Sequence, residues 1–240
     1  MCAAVCSACG KTDGGGGGGG GGGGPTLPDE IGAWMPKGAV DAWQGAWSSR
    51  LSIKTSMSMS MAGDPAALEI TGDKAKVFDG TKETEVGFIV DSPCSASFKV
   101  AITEGTMKGG TSTITKQFML KDGKLLAGEG ATGMRKGKAA IVCMIGLDKL
   151  VTLDDKGVCK SWSNMFDKWS SKDATCTWSK DGDKDILTIG KGDWTTKVYA
   201  EGDLLQNEQF ADYVKQGLHT KAASYDAAKT DITAKLKDKK

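Results

Sequence analysis

The chain has 240 residues, 39% of them hydrophobic and 25% charged, ordinary values for a folded globular protein. Its 31 basic and 30 acidic residues leave a net charge of +1, which removes the electrostatic ground for a nucleic-acid partner. No run reaches the roughly 18 apolar residues of a membrane-spanning helix, so membrane attachment would have to come from an anchor.

Residues 1–9 hold Cys2, Cys6 and Cys9, and residues 14–24 are eleven consecutive glycines. A glycine run has maximal backbone entropy and no side chain to bury, so residues 10–27 read as a tether, its eleven glycines spanning roughly 18 Å on average. Pro25, Pro28 and Pro36 stiffen the approach to the folded part. Small residues Ser7 and Ala8 precede Cys9, and Gly10 follows it. This stretch resembles the lipobox of bacterial lipoproteins, in which small residues precede a cysteine that becomes the acylated N-terminus. The resemblance implies a lipid anchor on Cys9. Gly10, rather than Asp, implies sorting to the outer membrane, facing the periplasm or the cell surface. Cys6 stands where the family prefers leucine. The segment before Cys9 is short and carries no Lys or Arg, so Met1 is expected to be an internal methionine of a longer chain. The C-x₃-C-x₂-C spacing also matches the iron–sulfur motif of radical S-adenosylmethionine enzymes. That site is built inside an alternating α/β barrel, whereas here a polyglycine run and a β meander follow.

Residues 28–206 read as one β domain. Trp47, Leu51, Ile53, Met57, Met59 and Met61 stand at odd positions with serines and a lysine between them, the period of a long strand with one apolar face. Alternation continues at Leu68 and Ile70; at Val86, Phe88 and Val90; and at Ala96, Phe98, Val100 and Ile102. Gly72-Asp73, Asp79-Gly80 and Asp122-Gly123 supply tight turns. Roughly ten strands joined by hairpin-length turns predict an antiparallel meander closing as a barrel or sandwich. The stripe Trp162, Met165, Phe166 and Trp169 has helical spacing and predicts a short helix inside this domain, filling one end of the core. Residues 207–240 are expected to form a C-terminal helix packed on the domain, N-capped by Asn207, weak at Gly217 and frayed at its end.

Four cysteines lie in the body, and four allow three pairings. Cys159 and Cys176 are near enough to close a short loop, which leaves Cys94 with Cys143. Two disulfides agree with export to an oxidising compartment.

Gly45-Ala46-Trp47 opening the first long strand, a hairpin meander and a C-terminal helix together resemble the lipocalin and fatty-acid-binding group, the calycins. There a G-x-W opens the first strand and its Trp closes the barrel bottom. The resemblance rests on Gly45 and Trp47, with topology as support. It implies non-catalytic binding of a small apolar ligand, with Trp47, Leu51, Ile53, Met57, Met59 and Met61 as lining. A structural or interaction lipoprotein with a filled core is the alternative. A periplasmic copper(I) protein is a further one, since thioethers at alternate strand positions suit a soft ion, although no His or Cys stands near Met57, Met59 and Met61 in sequence.

No catalytic set emerges and no cofactor is expected. Asp181, Asp183 and Asp185 alternate, but Ile186 and Gly192 stand where a calcium loop needs Gly and Glu, so a hairpin turn is expected at Asp181-Gly182. The glycine-rich run Gly128 to Gly133 follows no βα unit and reads as a bend. His219 is the only histidine and lacks sequence neighbours for a zinc site or a triad.

Overall fold

A computed structural model describes residues 26–50, 65–102, 109–144, 149–165, 168–192, 194–216 and 219–237. Two short helices come first, Asp29–Gly32 (α1) and Ala39–Trp43 (α2). Seven antiparallel strands then run as a meander: Gly45–Arg50 (β1), Pro65–Thr71 (β2), Lys74–Phe78 (β3), Glu83–Ser92 (β4), Ser95–Ala101 (β5), Thr111–Lys121 (β6) and Lys124–Gly128 (β7). Nine more form a second curled sheet: Thr132–Lys136 (β8), Ala139–Cys143 (β9), Lys149–Leu153 (β10), Cys159–Met165 (β11), Lys168–Asp173 (β12), Cys176–Asp181 (β13), Lys184–Lys191 (β14), Trp194–Glu201 (β15) and Leu204–Gln206 (β16). The chain returns through Glu208–Lys215 (α3), Thr220–Lys221 (β17) and Tyr225–Lys237 (α4). The protein is therefore mainly β and antiparallel with a C-terminal helix, as the alternation predicts. Its strands are more numerous than the expected ten, and they divide between two half-barrels; of the long first strand expected from Trp47 to Met61, the part beyond Arg50 lies outside the described residues.

Turn chemistry sets the hairpins. Asp122 (φ 52°) and Gly123 (φ 71°) both take the left-handed region between β6 and β7, the conformation that Asp-Gly favours in a two-residue loop. Inward residues of the first sheet bury a core around Trp43, which α2 inserts from one end. Its ring lies 5.7 to 6.3 Å from those of Phe88, Phe98 and Phe118, and 5.9 Å from Trp47. Trp47 Nε1 donates to the Trp43 carbonyl at 2.8 Å.

Strand parity governs closure. Seven meander strands leave β1 and β7 running in the same direction, so they cannot pair antiparallel. The return segment fills that place: β17 pairs antiparallel with β1 (Trp47 with Lys221, Ser48 with Thr220), and α3 lies on β7. A Cβ at Gly128 would stand 2.8 Å from Tyr213 Cβ, and one at Gly130 would stand 2.4 Å from the Phe210 amide nitrogen. The glycine run that reads as a bend is thus also the seat of α3. In the second sheet β8 pairs with β16, while β12 and β13 stand at opposite ends of the strand order. Only Ala174 and Thr175 separate these two in the chain, so the sheet curls back to its own edge. Ala174 N–H donates to the Cys159 carbonyl and Gly190 N–H to that of Thr175, both at 2.9 Å.

Cys159 and Cys176 are disulfide-bonded at this corner, with Cα atoms 5.8 Å apart. The Cys94–Cys143 disulfide joins the turn after β4 to β9, and so ties one half-barrel to the other. The first pairing is the one suggested by sequence proximity, and the second is the one it leaves.

Two expectations are corrected. Trp162 and Trp169 lie on adjacent strands of a hairpin, not on a helix. In a tight hairpin, residues i and i+7 can share a face just as on a helix, and here the exposed edge of β10 offers hydrogen-bond partners that β11 takes. The C-terminal helix is two helices. Asn207 caps the first, its Oδ1 accepting from Phe210 N–H at 2.9 Å. The chain then pairs with β1 before α4 packs Ala228 and Ile232 over Ala67.

Trp43 is 2% exposed and joins four rings. Trp43→Ala is expected to cost about 3–5 kcal/mol, read by urea unfolding at constant m-value. A loss under about 1 kcal/mol would mean that the aromatic cluster does not organise this half-barrel.

Candidate functional site

Inside the first half-barrel the apolar lining is interrupted at one end. Ser49 follows Trp47 by two residues on β1 and shares its inward face, opposite Ala66. Lys116 follows Ile114 and precedes Phe118 on β6, opposite Ala96, so it also points inward. Glu129 continues the inward face of Leu125 and Ala127 just past β7. Tyr213 comes from α3, and His219 from the segment before β17. The parity gap is therefore where two strand residues and one just past a strand end meet two residues of the return segment.

These groups are bonded in two sets. Lys116 Nζ lies 2.7 Å from Glu129 Oε1, with the lysine side chain 4% exposed. The Tyr213 hydroxyl donates to Glu129 Oε2 at 3.0 Å. Its pKa is pushed up to about 12, first by burial and then by this acidic partner, despite the opposing charge of Arg50. Ser49 Oγ and His219 Nδ1 lie 2.6 Å apart. His219 Nε2 is buried without a hydrogen-bond partner. The imidazole pKa is lowered to about 3, chiefly by burial and secondarily by the charge of Lys116. His219 is therefore neutral at physiological pH.

Such a group is costly. A buried polar atom left unpaired loses its hydration with nothing in return, typically about 1–3 kcal/mol. A buried Lys–Glu pair commonly does no better than an apolar pair of the same volume. Stability alone does not select this arrangement.

A second polar cluster differs in being fully bonded. Asp91 accepts from Ser95 Oγ at 2.6 Å and from Ser97 Oγ, and Ser97 Oγ lies 3.1 Å from Thr115 Oγ1. Burial raises the Asp91 pKa against these two hydrogen bonds. Ser92 Oγ lies 3.2 Å from Cys143 Sγ, and Gln117 Nε2 donates to the Met144 carbonyl at 3.3 Å. These contacts bridge the half-barrels and serve their joint. On the outer face of the second half-barrel an open cleft of about 310 Å³ lies between α1 and the β10–β11 turn, bordered by Trp34, Glu30, Asp154, Asp155 and Lys160.

Of the residues predicted as ligand lining, Trp47 is a buried member of the aromatic core. Leu51, Ile53, Met57, Met59 and Met61 lie outside the described residues, as does Cys9. Among the described residues no three His, Cys, Asp or Glu side chains are grouped to hold a metal, and no helix is long and apolar enough to cross a membrane. Asp181-Gly182 is a hairpin turn, as expected. Ser49, Lys116, Glu129 and Tyr213 escaped the sequence reading. Two of them left a signal: the apolar odd positions of β1 skip Ser49, and a lysine interrupts the inward series Ile114, Phe118, Leu120.

No protein-family model, curated protein or solved structure matches this chain. The likeness to the calycins therefore stays with Gly45, Trp47 and the meander.

The imidazole makes a pH prediction. Its folded pKa (about 3) lies below the ordinary 6.5, so between these values the unfolded chain binds more protons. Its contribution to stability is then fully present above about pH 6.5 and is lost as pH falls toward 3, by at most about 1.4 kcal/mol per pH unit. Urea unfolding from pH 7 to 4 should show the wild type losing stability relative to His219→Asn. A difference that stays constant with pH would place the imidazole in solvent.

Proposed function

We propose that this is an exported, non-catalytic binding protein, anchored through Cys9 to the outer membrane, whose first half-barrel takes a small ligand with an apolar body. The supporting observation is the unpartnered His219 Nε2 beside Lys116, at the end of an otherwise apolar interior. A ligand that bonds this atom recovers the energy that the free protein forgoes. Binding is favoured over acyl transfer because, among the described residues, no carboxylate stands behind His219 to orient it, as a Ser-His-Asp triad requires. The two disulfides are consistent with an oxidising compartment.

A second reading has its own support. The rings of Trp43, Phe88, Phe98 and Phe118 fill the deep part of the first half-barrel, which suits an interaction lipoprotein with a filled core. Native mass spectrometry separates the two. Protein purified from an oxidising compartment should carry a co-purifying small-molecule mass that is lost in His219→Phe. The bare polypeptide mass, unchanged after incubation with a cell lipid extract, would leave the interaction reading. The same spectra test the anchor: the chain expressed behind a lipoprotein signal sequence should carry acyl mass, and Cys9→Ser should abolish it. Acyl mass that persists in Cys9→Ser would put the anchor elsewhere.

A further inference from the structure

We infer that the cluster of Ser49, Lys116, Glu129, Tyr213 and His219 is an oxyanion site, taking a phosphate-type group either free or as the head of a larger ligand. This names the ligand chemistry of the site proposed above and rests on that reading.

The inference comes from counting donors and acceptors. Each oxygen of Glu129 already has a donor, Oε1 from Lys116 and Oε2 from Tyr213. Ser49 Oγ and His219 Nδ1 satisfy each other. His219 Nε2 is the buried atom without a partner; with the Ser49 hydroxyl taken as the donor to Nδ1, Nε2 would carry the imidazole proton. An ammonium has three N–H groups, and Glu129 takes one of those on Lys116. What the cluster has left over is therefore hydrogen-bond donors. Charge points the same way. Within the cluster the charges of Lys116 and Glu129 offset each other, and Arg50 beside it, near enough to act on the Tyr213 hydroxyl, adds a positive charge. A group with several acceptor oxygens and a negative charge answers both surpluses, and a neutral hydroxyl answers neither fully. The approach is from the return segment, where part of the His219 residue reaches the surface while its Nε2 remains covered.

His219 is the only histidine in the chain, so histidine-selective ¹⁵N labelling reports on this site without assignment. The labelled full chain is titrated with inorganic phosphate, with octyl phosphate and with octanol. Saturable shifts of the imidazole nitrogens with phosphate or octyl phosphate, and none with octanol, are expected. Octyl phosphate binding much more tightly than phosphate would identify the anion as the head of an amphiphile, and equal affinities would identify a free ion. Both outcomes support the site. Lys116→Met with Glu129→Gln removes the ion pair as a unit, which avoids stranding a buried charge. It should fold, shown by an unchanged far-ultraviolet spectrum, and weaken the anion response by about tenfold or more. Octanol shifting the signals as strongly as octyl phosphate would overturn the oxyanion assignment while leaving the binding reading intact. A shift that follows ionic strength without saturating means an adventitious ion only, and overturns the assignment as well. Silence with every probe, together with a bare mass in the native spectrum, would overturn both.

Discussion

The fold depends on one joint. Each half-barrel curls around its own core, and neither core by itself fixes its partner's position. The strap of residues 27–43 does so: Leu27, Ile31 and Trp34 pack on the outer face of the second half-barrel with Ile141, Leu150 and Trp162, and a few residues later Trp43 enters the first. Cys94–Cys143 closes the same joint covalently within this cluster. Its loop spans 49 residues, the range in which a crosslink removes several kcal/mol of unfolded-state entropy on the chain-entropy account. The fully bonded Asp91–Ser95–Ser97 network lies alongside. The two disulfides are consistent with an oxidising compartment, and reduction of Cys94–Cys143 would leave the joint to the strap and to non-covalent contacts such as Gln117 to the Met144 carbonyl.

The second constraint is parity. Because seven meander strands cannot close antiparallel, a helix and a two-residue strand have to stand in for the eighth. Segments of that kind do not alternate, so they bring residues to the interior that no strand pattern would place there. Tyr213 and His219 arrive in this way. Gly128 and Gly130 admit α3 because they lack a Cβ, and Glu129 between them turns inward to meet Lys116. The candidate site is a consequence of how the half-barrel is completed.

This explains what the sequence made legible. Alternation and Asp-Gly turns gave the antiparallel meander, because those signals are local. Cysteine proximity suggested Cys159–Cys176, and Cys94–Cys143 followed as the remaining pair. Asn207 announced its helix, but the end of that helix was set by the edge of β1, more than 150 residues away and invisible to helical periodicity. The stripe at Trp162 misled because a hairpin and a helix can share the i, i+7 relation. The site was hardest to read, since Ser49, Lys116 and His219 acquire meaning only through non-local pairing. The gaps at Ser49 and Lys116 in otherwise apolar series were the trace it left.

The two interiors finally separate what each half-barrel can do. The second is lined mainly by aliphatic residues, among them Ala140, Val142, Val151, Leu187, Val198 and Leu205, and the Arg135–Asp185 ion pair beside Trp178 continues that face at one end. The first holds large rings at depth and unspent donors at one end. Ligand specificity needs a few placed polar groups against an apolar wall, and in the first half-barrel these include a buried lysine and an imidazole nitrogen without a partner. A filled-core protein gains nothing from a buried lysine and an unpaired imidazole, whose replacement by apolar side chains would cost it little. The presence of these charged and polar side chains beside the aromatic core of the first half-barrel is the physical ground for the proposal that it meets something other than itself.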